Sequence, residues 1–368
     1  MRPYINLDHA ATTCPDPEVI RAVCACMETC SANPSAPYSA AGFARREIRL
    51  AKETLAHMLG CDHTEIIFTS GGTEANNLAL KQAEKRHVIL SAIEHKSVLE
   101  AAKLYQCEIT LVAPDKQGRI DPEAIEAAIR PNTALISVQV ANNETGAIQP
   151  ITEIGTVARR HKILYHADAV QAFGHIPLDV REVNIDLLSA SAHKLYGPRG
   201  IGFLYIRQGI PAIPILAGGG QEAGLRAGTE NVPAIAGFRA AAELAHADMT
   251  TRGTRQERMI ETFINTLKQT HPDIIEIAAK SPRLPGIRSL CLPGLDSEEA
   301  IAALDLLGIQ VSGGAACGSS QAGSSHVLQA MGIPEHQAKS VIRISPGRHT
   351  TEAMLEIAIE AINQIRKP

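Results

Sequence analysis

From about residue 60 to residue 206, short apolar runs alternate with longer stretches whose apolar residues recur every three or four positions. Ile66-Ile67-Phe68-Thr69 reads as a strand, and Gly71-Gly72 turns into a helix opening at Thr73. Val88-Ile89-Leu90 is a further strand, followed by a helix over 97–105, and Ile109-Thr110-Leu111-Val112 is another. Asp121-Pro122-Glu123 carries an N-cap followed by a proline at the first helical position. Leu135-Ile136-Ser137-Val138 and Ile163-Leu164-Tyr165 continue the alternation. Short buried strands between amphipathic helices predict an α/β fold with a mostly parallel sheet covered on both faces.

After Gly218-Gly219-Gly220 the pattern changes. Helices are expected over 232–246 and 254–270, then strands at 274–278, 287–292 and 309–312 alternating with helices, the last starting near Thr350. This predicts a large domain over 16–245 and a smaller α+β domain built from 1–15 and 246–368.

The chain has 368 residues, 45% of them hydrophobic and 20% charged, ample material for two cores. A net charge of −4 with no long basic run gives no support to nucleic-acid binding. The first residues lack the apolar core of a signal peptide, and no run approaches the ~20 apolar residues that span a bilayer. A cytoplasmic protein without membrane contact is therefore expected. Cys14, Cys24, Cys26 and Cys30 cluster early but without paired C-x-x-C spacing. Cys26 and Cys30 continue the helical face of Val19 and Val23, which reads as small core hydrophobes rather than metal ligands.

Ligands of a parallel sheet gather beyond the carboxyl ends of its strands. Three chemically distinct features fall there. Lys194, in Ser191-Ala192-His193-Lys194, supplies an amine able to form a Schiff base. Asp168, in Tyr165-His166-Ala167-Asp168-Ala169-Val170-Gln171, supplies a carboxylate able to keep a pyridine nitrogen protonated. Gly71-Gly72-Thr73 opens a helix whose amides suit a phosphate, with Ser191 and His193 as further donors. A lone aspartate is ordinarily a cap and a lone lysine a solvated side chain; their joint occurrence points to pyridoxal 5'-phosphate. The chain has no Trp, so His95 is the candidate to lie over the ring and move protons. Gln171, within one helical turn of Asp168, is placed to reach the ring's phenolic oxygen.

Longer strings carry a family resemblance. They include Leu7-Asp8-His9-Ala10-Ala11-Thr12-Thr13, Asn33-Pro34-Ser35, Thr-Ser-Gly-Gly-Thr-Glu-Ala-Asn-Asn at 69–77 and Asn142-Asn143-Glu144-Thr145-Gly146. They continue with Arg226-Ala227-Gly228-Thr229, Gly314-Ala315-Ala316-Cys317 and Ile342-Arg343-Ile344-Ser345-Pro346-Gly347-Arg348. Over nearly its whole length the chain resembles the NifS/IscS-like cysteine desulfurases, within the class V aminotransferase group of fold-type I pyridoxal-phosphate enzymes. The resemblance implies that Lys194 is the Schiff-base lysine, His95 the stacking acid/base and Asp168 the partner of the ring nitrogen. It implies that Gln171 and Asn143 contact the phenolic oxygen or substrate, and that Gly72, Thr73, Ser191 and His193 hold the phosphate. Thr229 would reach that phosphate from the other subunit of a homodimer. Arg343 would grip the carboxylate of L-cysteine, with Asn33 a further substrate contact. Cys317 would take the sulfur as a persulfide, release alanine and pass the sulfur to an acceptor protein; its Gly/Ser-rich surroundings suit a sulfur-carrying loop.

Departures from the family pattern are His9 where Asn is usual, and Gln321-Ala322-Gly323 in the cysteine loop. The sequence ends at Pro368, without the C-terminal extension by which some relatives dock an iron–sulfur scaffold, so a dedicated acceptor is expected. Iron–sulfur assembly, tRNA thiolation, DNA phosphorothioation and thio-cofactor synthesis all remain open as destinations. A selenocysteine or cystine C–S lyase, or a subunit that organises a sulfur-transfer complex, stands beside the leading reading.

Overall fold

A computed structural model describes residues 4–313 and 325–366; Cys317 and Gln321-Ala322-Gly323 lie outside the described residues. The chain opens with β1 (Ile5–Asn6), α1 (Pro17–Thr29) and α2 (Ala41–Leu59). An alternating series follows: β2 (Ile66–Thr69), α3 (Gly72–Lys81), β3 (His87–Ser91), α4 (Lys96–Leu104), β4 (Glu108–Val112), α5 (Pro122–Ala127) and β5 (Thr133–Ser137). It continues through α6 (Ile151–His161), β6 (Leu164–Asp168), β7 (Leu187–Ser191) and β8 (Gly202–Ile206). After α7 (Val232–Thr270) come β9 (Ile275–Glu276), β10 (Arg288–Cys291), α8 (Ser297–Leu306) and β11 (Ile309–Gln310). The last elements are α9 (His326–Ala330), α10 (Glu335–Ala338), β12 (Val341–Ile344) and α11 (Glu352–Ile365).

Seven strands form the central sheet in the order β2-β8-β7-β6-β5-β3-β4. Only β8 runs against its neighbours, so the sheet is mostly parallel, as the sequence predicts. Successive strand residues face opposite sides. Ile89, Ile136, Tyr165 and Phe203 therefore join one core with Leu55 and Phe238, while Val88, Leu90, Leu135 and Leu204 join a second with Leu78 and Val98. Phe203 stacks on Phe238 at 5.7 Å and meets the edge of Phe173 at 5.2 Å, closing the first core against α7. A separate core surrounds the antiparallel sheet β12-β10-β9 and includes Leu7, Phe263, Leu290, Ile342 and Leu355.

Two helices were expected where α7 is one helix of 39 residues. The polar stretch around 248–253 reads as a break, yet it lies against other elements. Arg252 is buried, ion-paired with Asp248 one turn earlier and donating to the carbonyl of Gly174. Asp248 also pairs with Arg348, so tertiary partners override a weak local pattern. In α1, Cys26 is buried with Ala44, Val232 and Ala236, and Cys30 packs at the edge of that cluster. Burial pushes the Cys26 thiol up to about 12, as befits a core side chain.

Helix α6 can lie close to the segment before β7 because Gly155 has no side chain. A Cβ there would fall 2.0 Å from the carbonyl oxygen of Val183. Gly155→Ala is expected to lower the unfolding free energy by about 1–3 kcal/mol in urea titrations. An unchanged midpoint and slope would show that this contact does not constrain the packing.

Candidate active site

The parallel strands β2, β3, β5, β6 and β7 deliver their carboxyl ends to one edge of the sheet, and a cavity of about 250 Å³ lies there. Its wall contains Gly72, Thr73, His95, Asn143, Asp168 and Gln171, together with Ser191, His193, Lys194 and Arg343. Ten sequence candidates thus share one site.

Asp168 ends β6, where the chain must leave the sheet. Its Oδ1 accepts the backbone N–H of Val170 at 2.9 Å and its Oδ2 the Asn76 amide at 2.7 Å. Beneath it, His166 lies between the hydroxyls of Ser137 (2.8 Å) and Ser189 (3.0 Å), one on each adjacent strand. Complete burial drives His166 down to about 4, so it is a neutral support.

The turn after β2 is shaped by glycine. Gly71 adopts φ +153° and ψ −176°, a region essentially reserved for glycine. A Cβ on Gly72 would come 2.6 Å from Val170 Cγ2, so its absence leaves room beside the first amides of α3. Glu74 steadies the turn by accepting from the Ser70 N–H at 2.8 Å and from Arg226 at 3.0 Å. His193 is held 3.1 Å from Thr12 Oγ1, and burial beside Lys194 and Arg199 lowers it to about 4.

Lys194 follows β7. Its Nζ donates to the carbonyls of Ala10 (2.6 Å) and Ala11 (2.8 Å), while His175 Nε2 lies 3.0 Å from the Lys194 carbonyl. The Gln171 amide also donates to Ala10, at 2.9 Å. The N-terminal segment therefore forms part of the site. Arg343 on β12 is almost wholly buried, donating to the carbonyl of Asn143 at 2.7 Å and ion-pairing with Asp8 at 2.6 Å. Its Nε is buried with no hydrogen-bond partner among the described residues, an unmet cationic donor in the cavity wall.

His95 caps α4 through Nδ1, and burial lowers its pKa. Asn33 and Thr229 lie outside this cavity. Asn33 caps its own turn by accepting from the Ser35 N–H at 2.9 Å. Thr229 lines a second depression with Thr69, Ser70 and Arg226, behind the glycine turn.

Asn76, Ser97, Glu144 and His326 are among the cavity residues missed from sequence. Asn76 follows Gly72 by four positions and so shares its helical face, and Ser97 follows the cap His95 by two; both spacings were readable. Glu144 and His326 were not. Glu144 is fully buried, its pKa raised by burial, and accepts from Ser325 Oγ at 2.5 Å. His326 contacts the carbonyl of Glu94 at 3.0 Å across 232 positions of sequence.

The arrangement fits pyridoxal phosphate. A glycine-lined helix start, a bonded carboxylate and a lysine amine reach one cavity from three strands, with an arginine edge beyond them. The class-V aminotransferase family model matches residues 5–357. The chain belongs to that family. A cysteine desulfurase from Trichormus azollae is 39% identical over 98% of this chain and 92% of its own length. The cysteine desulfurase IscS of Dictyoglomus turgidum is likewise 39% identical, over 99% and 95%. The structure of a NifS-like protein from Rickettsia africae superposes with a TM-score of 0.91 at 34% identity, covering 98% and 99%. Within the family the chain is a NifS/IscS-like cysteine desulfurase, and pyridoxal 5'-phosphate is its cofactor. No helix among the described residues is long and apolar enough to cross a membrane.

Glu94 supports the wall behind His95. Its Oε1 accepts from Ser91 Oγ (2.5 Å) and the Gln139 N–H (2.8 Å), while Oε2 has no partner among the described residues. Burial, with Asp168 nearby, raises its pKa from 4.5 to about 8. Between those values the folded state binds the extra proton, so stability falls as pH rises through that window. Glu94→Gln removes this dependence. Its unfolding free energy should match the parent near pH 4 and exceed it increasingly up to about pH 8. Parallel pH profiles of the two proteins would contradict the buried, protonated carboxyl.

Proposed function

We propose that Lys194, His95 and Cys317 carry out the desulfuration of L-cysteine to L-alanine, with Cys317 taking the sulfur. The observation that supports this most is the convergence of Lys194, Asp168 and the Gly71-Gly72-Thr73 turn on one cavity in a desulfurase-family chain. Bound pyridoxal phosphate supplies an aldehyde carbon and a protonated ring that withdraws electrons from the substrate's carbons. Asp168 holds the ring nitrogen's proton, and Gly72, Thr73, Ser191 and His193 bind the phosphate. Gln171 and Asn143 orient the ring's phenolic oxygen or the substrate, and Arg343 binds the cysteine carboxylate with Asn33 as an outer contact. Lys194 would hold the cofactor at rest and handle the proton of the substrate's α carbon, with His95 assisting the proton shifts. The Cys317 thiolate attacks the substrate sulfur. A sulfur–sulfur bond forms, the carbon–sulfur bond breaks with its electron pair going to carbon, and protonation there leads to alanine. The sulfane sulfur then passes to an acceptor protein.

The enzyme works as a homodimer in which Thr229 of the partner subunit completes the phosphate site. The position of Thr229 outside the cavity, beside the segment that leads into the glycine turn, supports this. Residues 16–245 form the cofactor-binding unit, and 1–15 with 246–368 the unit that carries Cys317; the separate core around Leu7, Phe263 and Ile342 supports that division.

Cys317→Ser is expected to reduce alanine formation from cysteine by at least ~100-fold while the cofactor absorbance is retained. Alkylation and peptide mapping of the parent after a single turnover should find the sulfane sulfur on Cys317. Undiminished alanine formation by the variant would remove Cys317 from the mechanism.

A further inference from the structure

The hydrogen bonds behind His95 form a directed chain. Asn76, 1% exposed, uses both amide hydrogens, one on Asp168 Oδ2 at 2.7 Å and the other on Ser97 Oγ at 2.8 Å. Ser97 Oγ lies 2.7 Å from His95 Nδ1, and the Ser97 backbone N–H donates to the same nitrogen at 3.1 Å.

The directions follow from counting protons. A carboxylate accepts only, so the nitrogen of the Asn76 amide must face Asp168. Its second hydrogen then reaches Ser97 Oγ, which accepts it, and the single hydroxyl proton of Ser97 points to His95 Nδ1. That nitrogen already receives the Ser97 N–H, so it cannot carry a proton of its own. The ring proton of His95 must sit on Nε2, at the other edge of the ring. Asn76 Oδ1 is buried without a partner among the described residues. Leaving it so is unfavourable, and the orientation persists because turning the amide over would set oxygen against the Asp168 carboxylate.

We propose that Asn76 and Ser97 are positioning residues that fix His95 as a neutral imidazole protonated on Nε2, so that His95 meets bound substrate as a hydrogen-bond donor and the taking of protons falls to Lys194. This division of labour rests on the desulfuration reading; the tautomer does not. A second proton on Nδ1 would face the Ser97 N–H head-on and break the cap of α4. The surroundings act in the same sense. Lys194, His326 and Lys96, from three different elements, oppose a charged ring, and Asp168 at the end of β6 favours it. Burial is the largest influence and lowers the His95 pKa.

The test uses the cofactor-free protein labelled with 15N in histidine, the His95 signals being assigned by their loss in His95→Asn. The parent should show a neutral ring protonated on Nε2 across neutral pH. Ser97→Ala should raise its titration midpoint by about half a unit or more, the effect of one neutral hydrogen bond. Asn76→Leu, which keeps the volume, should raise it similarly by releasing the Ser97 hydroxyl, and Ser97→Thr should retain the parent midpoint. A parent ring protonated on Nδ1, or a Ser97→Ala midpoint equal to that of the parent, would overturn the proposal. Because no cofactor is present, a protein with the Nε2 tautomer that makes no alanine would refute the catalytic reading and leave this one standing.

Discussion

The Asp168 carboxylate, gripped by the Val170 N–H and the Asn76 amide at the end of β6, is the fixed point of the site. It stands in the middle of the sheet, with His166 braced beneath it between two strand serines. Its neighbours reach the same edge because β2, β3, β5 and β7 run parallel to β6. The glycine turn, His95 and Lys194 can then be brought round one carboxylate with short connections. Disturbing the direction of any of these strands would scatter them.

The N-terminal segment closes the opposite side. β1 pairs with β11 and Asp8 bridges to Ser345, which carries the Ala10 and Ala11 carbonyls over the sheet edge. There they receive Lys194 and Gln171. Asp8 meanwhile neutralises Arg343, which would otherwise be a buried lone cation and strongly unfavourable. Arg343 Nε, buried and without a partner among the described residues, leaves one donor of that guanidinium unmet beside the pair. Under the proposed function, the elements around the small core would contribute the substrate anchor, Arg343, and the sheet the groups around the cofactor.

Much of this was readable from the chain because the chemistry sits where short apolar runs end. Ile66–Thr69 was located to the residue, and the Gly-Gly-Thr turn, Asp168 and Lys194 were placed just beyond strands. The continuity of α7 was not readable. Arg252 looks like a surface residue in sequence and is buried because Gly174 arrives from elsewhere, while Asp248, half-buried beside it, is met by Arg348. Glu144 and His326 escaped for the same reason, since neither has a local pattern that announces burial beside a cavity. Asn76 and Ser97 were legible in spacing but not in meaning. Their roles depend on hydrogen-bond direction, which only the assembled geometry fixes.

The central claim is that the amine of residue 194 is the one that captures the aldehyde. Borohydride reduction of the purified protein with pyridoxal phosphate, followed by peptide mass mapping, tests it directly. The account predicts a single pyridoxyl group on the peptide containing Lys194, with none there in Lys194→Ala. Labelling at another lysine, or no stable label at all, would contradict it.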